Sequence, residues 1–176
     1  EGRDTVRRHL LGAAGELQVA LSALAENPDG APTAHALIRT ILGFPGELND
    51  YVGERAGTEL RLPHAQVPGV TSTLFLQAAP VESVDDLLDP QAGVLLESGF
   101  RADEPPAFIV VQAGQWLLLA EAERWAEGRY LAIDLLVVTE RRDDKRCGEI
   151  DRVAAMLGRH ALVPDADGNI WWTGVL

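Results

Sequence analysis

Residues 107–120 read AFIVVQAGQWLLLA, two apolar runs separated by Ala113-Gly114. Both runs are rich in the β-branched and bulky apolar side chains that favour strands. A glycine between two such runs is typical of a tight β-hairpin turn. The sequence therefore predicts an antiparallel hairpin here, at the centre of a sheet.

The first third of the chain has helical periodicity. From Asp4 to about Ala25, apolar residues recur every three or four positions, which predicts one helix with one apolar face. The members of that face are Val6, Leu10, Ala14, Leu17, Leu21 and Leu24. A second helix is predicted over residues 33–42, and one or two further helical turns over residues 47–55.

The rest of the chain alternates between strand and helix signals. Asp143 or Asp144 is the expected N-cap of the last helix. The predicted elements are strands at residues 60–62 and 71–77, a short helix at 83–88, a surface loop at 101–106, the hairpin, a central strand at 130–138, a helix from Asp143 to about His160, a turn at 164–169 and a closing strand at 169–174.

This order predicts an α+β fold with N-terminal helices, a mostly antiparallel sheet with a central hairpin, and one long C-terminal helix. No repeat or linker interrupts the chain, so we expect a single domain over residues 1–176. The chain begins at Glu1 rather than Met and ends at Leu176, directly after the apolar run at residues 170–172. We expect it to be an N-terminal fragment excised from a longer protein.

The charge balance and composition exclude several classes of protein. The chain has 15 Lys and Arg against 27 Asp and Glu, a net charge of −12, which excludes a strong non-specific DNA binder. Its one cysteine, Cys147, cannot form an internal disulfide, so nothing indicates an oxidising compartment. No apolar run reaches the roughly 18 residues of a membrane span, and no signal-peptide pattern is present. We expect a cytoplasmic protein with no membrane partner.

One cluster of basic residues stands out in this acidic chain. Arg141, Arg142, Lys145 and Arg146 lie within six positions of one another. Such a cluster can contact phosphate groups locally, and Arg141, Arg142 and Arg146 are the candidate contacts. The alternative is a solvated helix end and turn with no ligand.

Two acidic positions are candidates for either a structural or a metal-binding role. Asp134 interrupts the apolar run 130–138, where a charge is costly unless it is paired, hydrogen-bonded or bound to a metal. Asp143-Asp144-Lys145 matches the acidic-x-Lys triplet of metal-dependent nucleases, although it lies in a charged turn. Asp134, Asp143 and Lys145 are therefore the candidate structural or metal residues.

Motifs of several common enzyme classes are absent from the sequence. It contains no G-x-S-x-G, no G-x-G-x-x-G and no G-x-x-x-x-G-K-[ST], and its four histidines lack metal-ligand spacing. We expect no catalytic residue, no metal and no cofactor in this fragment. Trp171 and Trp172 could stack on bases, but they have no basic neighbours, which favours packing at an interface.

Five short stretches follow one another in the second half of the chain: AG-QWLLL at residues 113–119, ERWAEGRYL at 123–131, IDL at 133–135, ERRD at 140–143 and AMLGRHALVP at 155–164. In these stretches the segment Phe108–Val163, about a third of the chain, resembles the N-terminal region of large bacterial DNA adenine methyltransferases of type IIG restriction-modification and phage-defence systems.

The resemblance implies a non-catalytic accessory domain that positions DNA or partner subunits for the methyltransferase. Its partner would be the remainder of a larger chain, with DNA bound in that context and S-adenosylmethionine bound by the parent. The Asn-Pro-Pro-Tyr motif and the glycine-rich loop of the methylase are both absent here, so the fragment itself would not be an enzyme. Two alternatives stay open: an acidic protein–protein interaction module unrelated to DNA, and a metal-dependent nuclease domain.

Overall fold

The computed structural model describes residues 2–88 and 90–172, apart from the side chains of residues 90–92. Over these residues the fold is α+β, as predicted. The elements in chain order are α1 (Gly2–Ser22), α2 (Ala31–Leu42), β1 (Asn49–Arg55), β2 (Thr58–Gln66), β3 (Thr73–Gln77), α3 (Val84–Leu87), α4 (Pro90–Phe100), β4 (Phe108–Ala113), β5 (Trp116–Glu121), α5 (Ala122–Ala126), β6 (Leu131–Asp134), α6 (Leu135–Arg141), α7 (Glu149–Leu157) and α8 (Arg159–Leu162). Short 3-10 helices at Ala23–Ala25 and Pro28–Gly30 precede α2.

The described chain forms two compact units. Unit 1 contains the described residues up to Gly46 and those from Asp134 onward, and unit 2 is Glu47–Ile133. Unit 2 is thus inserted between the two segments that make unit 1.

Unit 1 is helical and is organised by α1, which contacts α2, α6, α7 and α8. The apolar face predicted for this helix is confirmed, because all of its members are buried: Val6, Leu10, Ala14, Leu17, Leu21 and, in the following 3-10 helix, Leu24. No helix in the described part of the chain combines the length and apolar character needed to cross a membrane.

The long C-terminal helix predicted from Asp143 is wrong. Cys147 has a φ angle of 62°, which a right-handed helix excludes, and α7 begins only at Glu149. Neither aspartate caps it, since Gly148 is the N-cap residue. Gly158 then adopts an extended conformation with ψ 154°, so α7 ends and the short α8 starts as a separate helix.

Unit 2 is built on a sheet whose strands lie in the order β1-β2-β3-β4-β5-β6. The sheet is mostly antiparallel, but β3 and β4 pair in parallel, with Thr73 beside Phe108 and Gln77 beside Gln112. A parallel pair needs a crossover connection, and here α3, α4 and the loop at residues 101–106 provide it. The core of unit 2 combines β3, β4 and β5 side chains with Leu87 and Leu96 from the crossover.

The predicted central hairpin is confirmed, with its turn one residue later than expected. Ala113 pairs with Trp116 at the end of β4 and β5, so Gly114 and Gln115 form the turn. Gly114 has a φ angle of 67°, and a two-residue type II′ turn places glycine at this first position.

Two predictions in the middle of the chain are wrong, one of a helix and one of a strand. Residues 47–55, predicted as helical turns, contain β1, whose half-buried Tyr51 and Gly53 alternate with exposed neighbours as in a strand. The strand predicted over residues 130–138 ends at Asp134, because the carboxylate of that residue caps a helix, α6. The helix α4 was not predicted.

At the C-terminal end, Trp171 and Trp172 are helical, so the closing strand predicted over residues 169–174 is not formed at these positions. Residues 173 and 174 lie outside the described residues. The predicted turn is confirmed, since the Oδ1 atom of Asp165 accepts hydrogen bonds from the backbone N–H groups of Asp167 (3.0 Å) and Asn169 (2.9 Å).

The turn between β1 and β2 contains a strained residue. Ala56 and Gly57 have φ angles of 50° and 80°, the signature of a type I′ turn. The left-handed conformation costs alanine about 1 kcal/mol, whereas asparagine adopts it more readily. We expect Ala56→Asn to raise the free energy of unfolding by roughly 0.5–1 kcal/mol in a urea titration. An unchanged or lower value would contradict this turn assignment.

His160 makes the stability of unit 1 depend on pH. Burial lowers the pKa of His160 below its ordinary value of 6.5, and the positive charge of Arg3 lowers it further. The folded state therefore disfavours the protonated ring, while the unfolded chain takes up a proton near the ordinary pKa. It follows that His160 contributes stability above about pH 6.5 that is lost as the pH falls through the folded pKa.

We expect the difference in unfolding free energy between the native chain and His160→Gln to decrease when the pH is lowered from about 7.5 to about 5. Chemical denaturation at several pH values measures this difference. A difference that stays constant would show that the histidine has the same pKa in the folded and unfolded states.

Candidate functional site

A groove in unit 2 lies between the β1–β2 hairpin and the loop at residues 101–106. Its volume is about 1110 Å³. Four carboxylates line it: Glu54, Glu59, Asp103 and Glu104. We call this feature the acidic groove.

Asp103 attaches the loop to the hairpin. Its backbone N–H donates to the carbonyl oxygen of Glu54 at 2.7 Å, and its carboxylate accepts from the N–H of Ala56, with N···O distances of 3.1 and 3.2 Å. Because Arg55 pairs with Thr58 across the two-residue turn, the carbonyl of Glu54 points away from β2. The loop therefore occupies the outer edge of β1 at this end of the hairpin, and this contact forms one wall of the groove.

The acidic groove carries negative charge that its own residues do not neutralise. Glu54 lies directly opposite Glu59 across the hairpin, an arrangement of like charges that destabilises a strand pair. Arg61 offsets part of this repulsion, because its Nη2 atom lies 3.2 Å from Oε1 of Glu59. Among the described residues, neither Glu54 nor Glu104 has a cationic side chain within 4.0 Å.

Tyr51 borders the acidic groove as a protonated phenol. Burial raises the pKa of Tyr51, and the negative charge of Glu104 raises it further. Its hydroxyl oxygen lies only 2.6 Å from the position that a Cβ atom on Gly53 would take. Gly53 thus leaves room for the ring, and at neutral pH the phenol can donate a hydrogen bond in a groove whose charged side chains are carboxylates.

Two of the candidate phosphate contacts have roles within unit 1. The Nη1 atom of Arg141 lies 2.7 Å from Oε1 of Glu149, so its charge is paired. Arg142 ends α6 in the left-handed conformation, and its Nη2 atom lies 3.1 Å from the position of a Cβ atom on Gly15 in α1. Arg142 therefore lies against α1.

The third candidate, Arg146, lies with other cations. It lines a cavity of unit 1 together with Arg3 and Arg7, neither of which the sequence singled out. Arg3 and Arg7 lie on α1, some 140 positions before Arg146 in the chain. Only folding brings these three arginines together.

The candidate structural or metal residues do not form a metal centre. Asp134 and Asp143 flank opposite ends of α6, whose seven residues span about 10 Å. Oδ1 of Asp143 accepts from the backbone N–H of Lys145 at 3.3 Å, a local turn contact. Among the described residues, no group of three or more His, Cys, Asp or Glu could hold a metal ion.

The two candidate interface tryptophans contact each other edge to face, with ring centroids 5.5 Å apart. Trp172 is anchored, because its Nε1–H donates to the carbonyl oxygen of Met156 at 2.9 Å. Trp171 is 42% exposed. Of the pair, Trp171 is the more exposed side chain.

The carboxylates of the acidic groove were not predicted from the sequence. Glu54 and Asp103 come from distant parts of the chain, and neither belongs to a recognisable motif. One signal was present, however: Glu47–Ile133 contains 14 Asp and Glu against five Arg, a net charge of −9. A charge count by segment would have located the acidic part of the chain, although not the groove.

Comparisons with protein-family models, with curated proteins and with solved structures found no match. The geometry of the described residues is therefore the structural basis for a function, and the methyltransferase resemblance stays a prediction from the sequence.

Asp134 is a helix cap. Its Oδ1 atom accepts from the backbone N–H groups of Leu136 (3.0 Å) and Val137 (3.3 Å) at the start of α6. Loss of such a cap costs about 1 kcal/mol, while asparagine caps nearly as well as aspartate. We expect Asp134→Ala to lower the free energy of unfolding by about 1 kcal/mol, and Asp134→Asn to retain most of it.

Denaturant titrations of the native chain and both variants measure these differences. Equal losses in the two variants would show that the negative charge, rather than the capping oxygen, is what the position requires.

Proposed function

We propose that this chain is a non-catalytic accessory domain that binds a basic segment of a partner protein through the acidic groove. The observation that carries the proposal is the groove itself, a concave surface of unit 2 with carboxylates of Glu54, Glu59, Asp103 and Glu104 along its walls. Complementary charge on the partner would guide association and fix its register.

The distribution of charge between the units supports this proposal. Unit 2 accounts for −9 of the net charge of −12, while unit 1 has 13 Asp and Glu against ten Lys and Arg. Clefts lined by one sign of charge concentrate the electrostatic potential and attract the opposite charge. An arginine- or lysine-bearing segment is therefore the partner that unit 2 favours.

The pairing of Glu54 with Glu59 also supports a cationic ligand. Two glutamates opposite each other on a hairpin repel, and an arginine or lysine bound between them would remove that repulsion. The protonated Tyr51 beside Glu104 adds a donor for a backbone carbonyl or other acceptor of the same segment.

From the sequence resemblance we also propose a setting for this domain, a DNA adenine methyltransferase of a restriction-modification or phage-defence system. In that setting the chain would be cytoplasmic, its partner would be the remainder of the larger chain or a second subunit, and S-adenosylmethionine would be bound by the methylase domain. An Asn-Pro-Pro-Tyr motif elsewhere in the parent protein would support this setting. A parent with no such motif would favour an interaction module unrelated to DNA.

Charge neutralisation in the groove tests the binding proposal. We expect Glu54→Gln and Glu104→Gln each to weaken binding of an arginine-rich peptide roughly threefold, the usual effect of losing one exposed charge pair. Fluorescence anisotropy of the labelled peptide at physiological salt measures the binding. Glu54→Gln should at the same time leave the fold intact or slightly more stable, because it removes the repulsion from Glu59.

Glu123→Gln is the matched control, since Glu123 is exposed on α5 in unit 2, does not line the groove and undergoes the same change in charge. We expect this control to bind the peptide like the native chain. If it weakens binding as much as the two groove variants, the peptide responds to the overall charge and the groove is not its site.

A further inference from the structure

A cavity of unit 1 is lined by three arginines. Its volume is about 350 Å³, and its walls are formed by Arg3, Asp4, Arg7, Arg146 and Asp151. This cavity contains no residue of unit 2, so any function it has is separate from that of the acidic groove.

Two of these arginines have charges that the described residues leave unpaired. Neither Arg7 nor Arg146 has a carboxylate within 4.0 Å among the described side chains. Arg7 is nevertheless held in place, because its Nη2 atom donates to the carbonyl oxygen of Asp144 at 2.6 Å. That bond uses one of the five N–H donors of a guanidinium group and leaves the charge uncompensated.

The carboxylate of Asp151 is already engaged by neighbours. The residue is 8% exposed, its Oδ2 atom accepts from the N–H of Cys147 at 2.9 Å, and its Oδ1 atom lies 3.7 Å from Nε of Arg3. Asp151 therefore holds the segment before α7 and pairs with Arg3, and none of its carboxylate oxygens lies within 4.0 Å of a nitrogen of Arg7 or Arg146. The other acidic wall residue, Asp4, has a side chain 72% exposed to solvent, and its Oδ1 atom lies 4.0 Å from Nε of Arg3.

We propose that this cavity binds a phosphate group, held by Arg7 and Arg146 with Arg3 as a third donor. Guanidinium groups match the oxygens of phosphate with paired N–H donors, which is why arginine predominates in phosphate recognition. The cavity is small, and the chain as a whole carries a net charge of −12, which repels a long polyanion more than a single compact anion. We therefore expect the phosphate to belong to a small phosphate-bearing molecule rather than to nucleic acid.

Titration with inorganic phosphate tests the site directly. Binding to the purified chain would be followed by isothermal titration calorimetry at low ionic strength, with chloride at matched ionic strength as the reference anion. We expect saturable binding of phosphate that Arg146→Gln and Arg7→Gln each weaken roughly tenfold, the scale of one charge-assisted hydrogen bond.

Arg8→Gln provides the matched control, because Arg8 lies next to Arg7 on α1, is exposed and does not line the cavity. We expect it to bind phosphate like the native chain. An equal loss in all three variants, or no saturable binding by the native chain, would overturn the proposal. Arg146 makes no hydrogen bond or ion pair with the described residues, so Arg146→Gln keeps the test valid even if Arg7→Gln unfolds.

A short DNA duplex distinguishes the two sources of the phosphate group. We expect no duplex binding that depends on Arg146, while inorganic phosphate binds. A duplex that binds the native chain, loses affinity in Arg146→Gln and is displaced by phosphate would confirm the phosphate site and assign the group to nucleic acid. Neither result depends on the acidic groove, so Glu54→Gln should leave phosphate binding unchanged.

Discussion

The parallel pairing of β3 with β4 is the constraint on which the organisation of unit 2 depends. The last residue of β3 and the first residue of β4 lie at opposite ends of the pair, so a crossover connection must run back along the sheet to join them. Here residues 78–107 make that connection, and their last part is the loop that carries Asp103. The contacts of Asp103 with Glu54 and Ala56 then join the crossover to the β1–β2 hairpin. The wall of the acidic groove is thus a consequence of strand order.

The two charged features of the molecule have opposite character and lie in different units. In unit 2, carboxylates from the hairpin and the crossover loop face a common groove with little internal compensation. In unit 1, arginines from α1 and from the segment before α7 line a smaller cavity, where Asp151 is engaged by Cys147 and Arg3. The two proposed sites share no residue, so we expect a basic segment and a phosphate group to bind independently of each other.

The elements with the longest local patterns, α1 and the β4–β5 hairpin, were predicted correctly from the sequence, whereas the helical turns predicted over residues 47–55 and the strand predicted over residues 130–138 were not. The apolar periodicity of α1 lies within one helix, and the paired apolar runs of the β4–β5 hairpin lie within two adjacent strands, so both signals are local in sequence. The apolar run after Tyr130, by contrast, changes from strand to helix where Asp134 caps two backbone amides. The candidate sites could not be predicted from local sequence. Ala56 and Asp103, which contact each other at the acidic groove, are 47 positions apart. Arg7 contacts the segment near Arg146 only because α1 packs there.

Binding of a basic segment by the acidic groove, rather than by the acidic surface at large, is the central proposal for this chain. Nuclear magnetic resonance of the isotopically labelled chain, titrated with an arginine-rich peptide, tests it residue by residue. We expect backbone amide shifts to change mainly in two stretches, the hairpin around Ala56 and the loop around Asp103. Changes spread over the exposed carboxylates of both units, with no concentration in those two stretches, would contradict it.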